Sequence, residues 1–121
     1  MSDLDSVRAV VRSPQEWRSL WPSETPRFPV PSINFAREMI LVAAAGERGA
    51  GHGHLIRIDS AFVASDTFFA VVREYAPGPY CGTTRMVVRP MHAVSVTRSK
   101  QPVVFIDRGT VTRHCPSPLM R

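Results

Sequence analysis

The chain has 121 residues, a net charge of +5, and hydrophobic and charged fractions of 44% and 21%, which are ordinary values for a globular domain. This length fits one domain, and the composition excludes a chain that is disordered throughout. The longest apolar run, Met39 to Ala45, is too short to span a bilayer, so no membrane partner is expected.

Arginine supplies fourteen of the fifteen basic residues, and Lys100 is the exception. Arginine suits bidentate contact with carboxylates and phosphates, so an acidic partner is allowed. The arginines are scattered along the chain without a run of three, and a nucleic-acid partner is therefore not favoured.

Two cysteines, Cys81 and Cys115, are too few for a disulfide scaffold, and the sequence leaves their pairing open. Residues 1–10 are acidic and lack the basic start and apolar centre of a signal peptide. A cytoplasmic location is therefore expected.

The first elements predicted along the chain are a short edge strand and a short helix. An apolar stretch at residues 7–12 predicts the strand, within an N-terminal segment of residues 1–12. Ser13, Pro14 and Glu16 then form a helix-start signal, because the hydroxyl caps, proline suits the first position and the carboxylate completes a capping box. The helix presents one apolar face for docking, formed by Trp17, Leu20 and Trp21.

A proline-rich connection and a buried strand follow this helix. Residues 22–32 contain four prolines and are predicted to be a rigid surface connection. Residues 38–45 are continuously apolar, as in a strand covered on both faces. A helix over residues 36–45 is the main competing interpretation, because alanine favours helices.

Two further strands are predicted around a turn. Four glycines among residues 46–53 indicate a loop that needs unusual backbone angles or a close approach to another segment. Alternation over residues 54–63 predicts a strand that returns beside the first, and a turn at residues 64–66 leads into a third strand at residues 67–75.

The last third of the chain is predicted to be extended, with a tail. Residues 76–84 form a second loop rich in proline and glycine, and residues 85–98 form a long extended segment. Pro90 within that segment indicates an edge or a bulge. Residues 103–107 form the last predicted strand, which closes a domain of residues 13–107 and leaves residues 108–121 as a tail.

These elements predict a mainly β domain of the α+β class, with five to six antiparallel strands in a sandwich or open barrel and one short N-terminal helix. If residues 38–75 run up, down and up, loops 46–53 and 76–84 lie at the same end of the sheet. Loops on a rigid sheet are where binding residues concentrate. The predicted partner-binding residues at this end are Arg48, Gly51, His52, His54, Pro79, Tyr80, Arg85 and Arg89.

Several short motifs resemble, in order, the PrcB C-terminal-like domain, a family of bacterial protease-complex subunits. Residues 34–41, NFAREMIL, resemble the family segment DFSREMVL, and residues 13–21 resemble the helix SQEEWEALW ahead of that domain. The other similar segments are residues 46–48 with the glycines that follow, 73–81, 90–94 and 102–105. The matches extend from about residue 11 to residue 107, most of the chain.

This resemblance implies a non-catalytic accessory or stabilising subunit of a protease complex, and it implies no catalytic residue. Family relatives are often exported. Gly49 and Ala50 replace the Pro-Thr of the family loop, and His54 stands near the tyrosine of the family. Because these departures fall on the loop that would touch a partner, the identity of the partner does not follow from the resemblance.

The predicted function is a non-enzymatic protein-binding domain, whose partner is a protein such as a protease. A loop-presenting protease inhibitor and an Arg-mediated nucleic-acid-binding protein are the alternatives. His52 and His54 would share one face of a strand, as zinc ligands do, but no zinc motif supports them, so neither metal nor cofactor is expected. Cys81 with a histidine is a weak nucleophile-and-base candidate, because no third residue is evident to orient the pair.

Overall fold

The computed structural model describes residues 6–21, 29–49, 53–82 and 86–117. These residues form a mainly β fold with one short helix and six strands, which confirms the predicted class. In chain order the elements are β1 (Val7–Val11), α1 (Pro14–Ser19), β2 (Glu38–Ala44), β3 (Leu55–Ala64), β4 (Thr67–Pro77), β5 (Met91–Thr97) and β6 (Val103–Arg113).

The strands form two three-stranded sheets, which face each other without closing into a barrel. The first sheet has the order β1-β2-β5, and both of its pairings are antiparallel. The second sheet has the order β3-β4-β6, in which β3 and β4 are antiparallel but β4 and β6 are parallel. The expectation of wholly antiparallel pairing is wrong here, because β5 carries the chain back along the first sheet and β6 then runs in the direction of β4.

Strand β2 is the central strand of the first sheet, and both of its faces are buried. Met39 and Leu41 have no exposed surface and belong to the core between the two sheets. Ile40 and Val42 point the opposite way, into a second cluster beneath the helix. The continuous apolar run therefore forms the doubly covered strand that was predicted, and not the competing helix.

Helix α1 covers the outer face of the first sheet. Its start has the predicted Ser13 cap, since the amide of Glu16 donates to Oγ of Ser13 over 3.1 Å. The Glu16 carboxylate accepts from the amide of Arg12 over 2.8 Å, one residue before the cap, and not from the Ser13 amide of the predicted capping box. Trp17 is only 3% exposed and meets Trp21 edge to face, with ring centroids 5.6 Å apart. Aromatic burial of this kind gives a two-turn helix the tertiary support that it needs.

Strands β3 and β4 form the predicted hairpin. The turn residues Ser65 and Asp66 both have positive φ, at 49° and 63°, as tight turns between antiparallel strands require. The expectation that β3 pairs with β2 is wrong, because the glycine-rich loop carries the chain from one sheet to the other. Ile56, Ile58, Phe68 and Val72 of the hairpin instead face β2 across the core.

The start of β5 and the end of β6 differ from the prediction, whereas β6 begins at Val103 as predicted. Strand β5 begins only at Met91, and Pro90 precedes it. Strand β6 continues through residues 108–113, which the sequence placed in the tail. A register shift opposite Arg73 and the positive φ of 79° at Gly109 interrupt the alternation there, so periodicity did not show the strand.

Side chains bridge the two seams at which the sheets approach edge to edge. At the β3–β5 seam, the amide of Ile58 donates to Nδ1 of His92 over 2.8 Å. At the β1–β6 seam, the guanidinium of Arg8 lies 2.9 Å from the carboxylate of Asp107. The seams are therefore held by side chains in place of backbone ladders.

Candidate functional site

The loop end is the surface formed by residues 45–49, 53–54, 77–82 and 86–90, where β2 and β4 end and β3 and β5 begin. Backbone hydrogen bonds continue the β2–β5 pairing into two of these loops. The amide of Ala45 donates to the carbonyl of Pro90 over 3.0 Å, and Arg48 and Val88 exchange two bonds of 2.8 and 2.9 Å. Residues 45–48 and residues 88–90 therefore lie side by side, and backbone hydrogen bonds between the two segments hold them there.

The Arg48 side chain joins this pair of loops to the second sheet. Its Nε donates to Oε1 of Glu74 on β4 over 2.8 Å, and its Nη1 donates to the carbonyl of Glu47 over 2.8 Å. The other carboxylate oxygen of Glu74 accepts from the Thr110 hydroxyl at 3.4 Å. Arg48 is therefore a structural brace of the loop end, and two of its five side-chain N–H donors are engaged in these bonds.

The loop after β4 is held to both neighbouring strands. A Cβ on Gly53 would lie 2.6 Å from Cγ of Pro77, so the start of β3 closely approaches the end of β4. Gly78 lies against the backbone carbonyl of Arg113, where a side chain would clash. These close approaches explain the glycines in this part of the chain better than loop flexibility does.

A disulfide joins Cys81 to Cys115, with the two Cα atoms 5.2 Å apart. The bond fixes the loop after β4 to the residues that follow β6. It answers the question of pairing that the sequence left open. It also removes the free thiol that a nucleophilic Cys81 would need, so that catalytic candidate fails in the oxidised protein.

The described members of the predicted site all lie at the loop end, but they differ in their exposure and in whether another side chain binds them. Arg48 is engaged with Glu74, and His54 is partly buried at the start of β3. Pro79 and Tyr80 are exposed, with 56% of Tyr80 accessible. Arg89 has a half-exposed side chain that lies 3.9 Å from the carboxylate of Glu47. The other predicted members, Gly51, His52 and Arg85, lie outside the described residues.

Two exposed apolar side chains at this end were missed by sequence reasoning. Met86 is 61% exposed and Val87 is 51% exposed, in the segment that runs beside Arg48. The signal was the run of three apolar residues between Arg85 and Arg89, which was assigned to a long extended segment without an exposed role. Glu74 was likewise not assigned as the partner of Arg48, since no local spacing connects them.

His92 lies apart from this surface, in the β3–β5 seam. Burial lowers the pKa of His92 below its ordinary value, Arg57 lowers it further, and Asp59 opposes them. The hydrogen bond from Ile58 uses the Nδ1 lone pair of the neutral ring. His92 is therefore a structural acceptor. Among the described residues, no group of three or more His, Cys, Asp or Glu is placed to hold a metal ion.

Comparison of the chain with protein-family models, curated proteins and solved structures finds no match. The resemblance to the PrcB C-terminal-like domain thus stands on its sequence motifs. Within the described ranges, no helix has the length and apolar character needed to cross a membrane.

Proposed function

We propose that this domain is a non-enzymatic protein-binding module and that its partner contacts the loop end. The observation that carries the proposal is the exposure of Tyr80, Met86 and Val87 on loops that are anchored to the sheets. Tyrosine and methionine are enriched in protein interfaces relative to the rest of a protein surface. Exposed apolar side chains on tethered loops lose little freedom when a partner binds, which favours affinity.

The resemblance to a protease-complex subunit supports an accessory role for this module. A subunit of that kind holds or stabilises its partner and needs no catalytic group of its own. The engagement of Arg48 with Glu74 and of Cys81 with Cys115 agrees with this role, since both side chains stabilise the loop end.

Protease inhibition is the second candidate function. The disulfide supports it, because Tyr80 lies next to Cys81 in an exposed loop that the bond fixes in place. A loop held in one conformation suits insertion into an active-site cleft. Steady-state assays against a panel of proteases separate the two candidates, since an accessory subunit leaves proteolysis uninhibited.

The disulfide also bears on the compartment. Disulfides persist in oxidising compartments and are rare in the reducing cytoplasm. The bond between Cys81 and Cys115 therefore supports an oxidising location, in place of the cytoplasmic one expected from residues 1–10. Thiol labelling of protein taken from its native host tests this, because a cytoplasmic protein would carry both cysteines reduced.

Affinity capture from the native host, with quantification of the co-eluting protein, tests the binding proposal. Val87→Ser removes an apolar group from the loop end, and Val104→Ser is the matched control because Val104 is 44% exposed at the opposite end of the second sheet. We expect Val87→Ser and Tyr80→Ser to reduce capture about ten-fold and Val104→Ser to leave it unchanged. Equal capture by Val87→Ser and Val104→Ser, or no stoichiometric partner, would overturn the proposal.

A further inference from the structure

The two sheets differ in how their outer faces are covered. Helix α1 and residues 29–35 cover the outer face of the first sheet. The outer face of the second sheet is the side of β3, β4 and β6 that points away from the core, and it carries accessible apolar side chains. Its exposed apolar side chains, each 41–46% accessible, are Leu55, Phe62, Val104 and Val111.

The strand register assigns these side chains to that face. Phe62 pairs with Phe69, and the next pair along the hairpin, Val63 with Phe68, has Phe68 in the core. Leu55 immediately precedes the core residue Ile56, so alternation turns it outward. The rings of Phe62 and Phe69 stack with centroids 5.4 Å apart.

Three arginines cross the middle of the same face in one row. Arg57 on β3 is in register with Arg73 on β4, and Arg108 on β6 lies at the register shift opposite Arg73. Neighbouring strands lie about 4.8 Å apart, so the row spans roughly 10 Å. Arg57, Arg73 and Arg108 are far apart in sequence, which is why the arginines appeared scattered.

This arginine row is not neutralised within the described protein surface. Asp59 lies 3.6 Å from Nη1 of Arg73 and is also bound by the Tyr75 hydroxyl at 3.0 Å. The Nε of Arg73 is buried without a hydrogen-bond partner. One aspartate beside three arginines leaves this face with a net positive charge. Like charges placed opposite each other also destabilise a sheet.

The charge of the row decides which partner fits. A second copy of the chain stacked about a twofold axis would bring two arginine rows together and desolvate them, which is unfavourable. A protein partner would need carboxylates positioned between two separate apolar patches. A bilayer of anionic phospholipid supplies phosphates wherever the cations lie, and its interface accepts the apolar side chains on either side of the row.

We propose that the outer face of the second sheet binds the surface of an anionic phospholipid bilayer. Arg57, Arg73 and Arg108 contact headgroup phosphates, while Phe62 and Val104 on one side and Leu55 and Val111 on the other enter the interfacial layer. This surface shares no residue with the loop end, so the inference does not depend on the proposed protein-binding function.

Vesicle co-sedimentation with the full chain tests the proposal. The probes are vesicles of phosphatidylcholine alone and vesicles containing roughly one-third phosphatidylglycerol, at about 0.15 M salt. We expect binding to the anionic vesicles that weakens as salt rises. Failure to bind them would overturn the proposal, and so would equal binding to both kinds of vesicle.

Two variants that each remove one positive charge distinguish a specific contribution of Arg57 to vesicle binding from the general effect of net charge. Arg57→Gln should weaken vesicle binding about five-fold, the effect of one basic residue near an anionic surface. Arg37→Gln removes the same charge from an exposed site preceding β2, away from this face, and should have less than about a two-fold effect. Equal effects of Arg57→Gln and Arg37→Gln would reduce the binding to non-specific attraction and overturn the proposal.

The apolar part of the proposal is tested with the two valine variants. Val104→Ser should weaken vesicle binding about five-fold, and Val87→Ser at the loop end should leave it unchanged. The pattern for protein capture is the reverse, so failure of one proposal is distinguishable from failure of the other. A single-stranded oligonucleotide or an acidic polypeptide that occupies the face more tightly than the anionic vesicles would overturn the lipid assignment.

Discussion

The backbone amide of Ile58 and the imidazole of His92 join the two sheets of this domain through one hydrogen bond of 2.8 Å. The bond lies between two edge strands, β3 and β5, which form no backbone ladder with each other. It requires an unprotonated Nδ1, because the nitrogen is the acceptor. The seam is therefore sensitive to the protonation of one side chain.

Stability should consequently fall as the protein is acidified through the range in which His92 titrates. The pKa of His92 is lowered in the folded state, chiefly by burial, so the unfolded chain takes up this proton first, near pH 6.5. The contribution of neutral His92 to the free energy of unfolding is therefore complete above about pH 6.5, and it is lost as the pH falls from there toward the folded-state pKa. Urea unfolding measured between about pH 7.5 and about pH 5.5 checks this, and His92→Gln should flatten the slope. Identical slopes for the two proteins would contradict the assignment.

Arg48 should contribute more to stability than Arg89, although both were predicted to bind a partner. Arg48 lies 2.8 Å from Glu74, whose side chain is 19% exposed, whereas Arg89 lies 3.9 Å from Glu47 with half of its side chain exposed. Arg48→Ala should cost about 1 kcal/mol and Arg89→Ala less than about 0.5 kcal/mol. Denaturant unfolding of the two variants compares them directly. A larger loss for Arg89→Ala would show that the brace is wrongly placed.

Reduction of the disulfide should strongly destabilise the domain. Cys81 and Cys115 are 34 residues apart in sequence, and a closed loop of that size corresponds to about 3–4 kcal/mol of unfolding free energy in the chain-entropy description. Thermal unfolding with and without reductant measures the effect. The double variant Cys81→Ser with Cys115→Ser should match the reduced protein and should not respond to reductant.

Two glycines in one loop should respond differently to alanine. A Cβ at Gly78 would meet the carbonyl oxygen of Arg113, whereas a Cβ at Gly82 would have no atom within 4 Å. Gly78→Ala should therefore cost about 1–3 kcal/mol, since the backbone of β6 has to move. Gly82→Ala should change the unfolding free energy by less than about 0.5 kcal/mol. Similar costs at both positions would mean that the loop does not pack on β6.

Removing one arginine from the row should stabilise the domain. Arg57 and Arg73 face each other across β3 and β4, and directly opposed like charges are unfavourable. Arg57→Gln should raise the unfolding free energy by about 0.5 kcal/mol at low salt, and the gain should shrink as salt rises. Arg37→Gln provides the reference for a charge removed elsewhere. A loss of stability in Arg57→Gln would indicate that favourable contacts of Arg57 outweigh its repulsion by Arg73.

Local signals were sufficient to predict the helix, the hairpin and the central strand. The cap at Ser13 and the positive-φ turn at Ser65 and Asp66 involve residues close in sequence, and the run from Met39 to Ala43 reflects burial of both faces. Such features follow from the residues themselves.

The partition of strands between sheets was not predictable in the same way. Nothing within β2 or β3 specifies that they face each other across a core, and the parallel pairing of β4 with β6 joins Phe68 to Val103. These choices depend on how the whole set of apolar faces is buried. The bulge near Gly109 further obscured the last strand.

The candidate site shows the same limit. The sequence placed Arg48, Tyr80 and Arg89 at one end of the sheet, and in the structure they lie there. The sequence did not reveal that Glu74 forms a salt bridge with Arg48. The arginine row draws one residue from each of three strands, so no spacing along the chain could display it.

The pairing order also has a consequence for synthesis on the ribosome. Each sheet receives its third strand only from the C-terminal part of the chain, β5 in the first sheet and β6 in the second. A nascent chain that has emerged only as far as Pro77 holds β1 to β4, which can form no more than two-stranded pairs. Folding is therefore completed late, after translation has passed Arg113, and until then the unpaired strand edges are open to pairing with another chain.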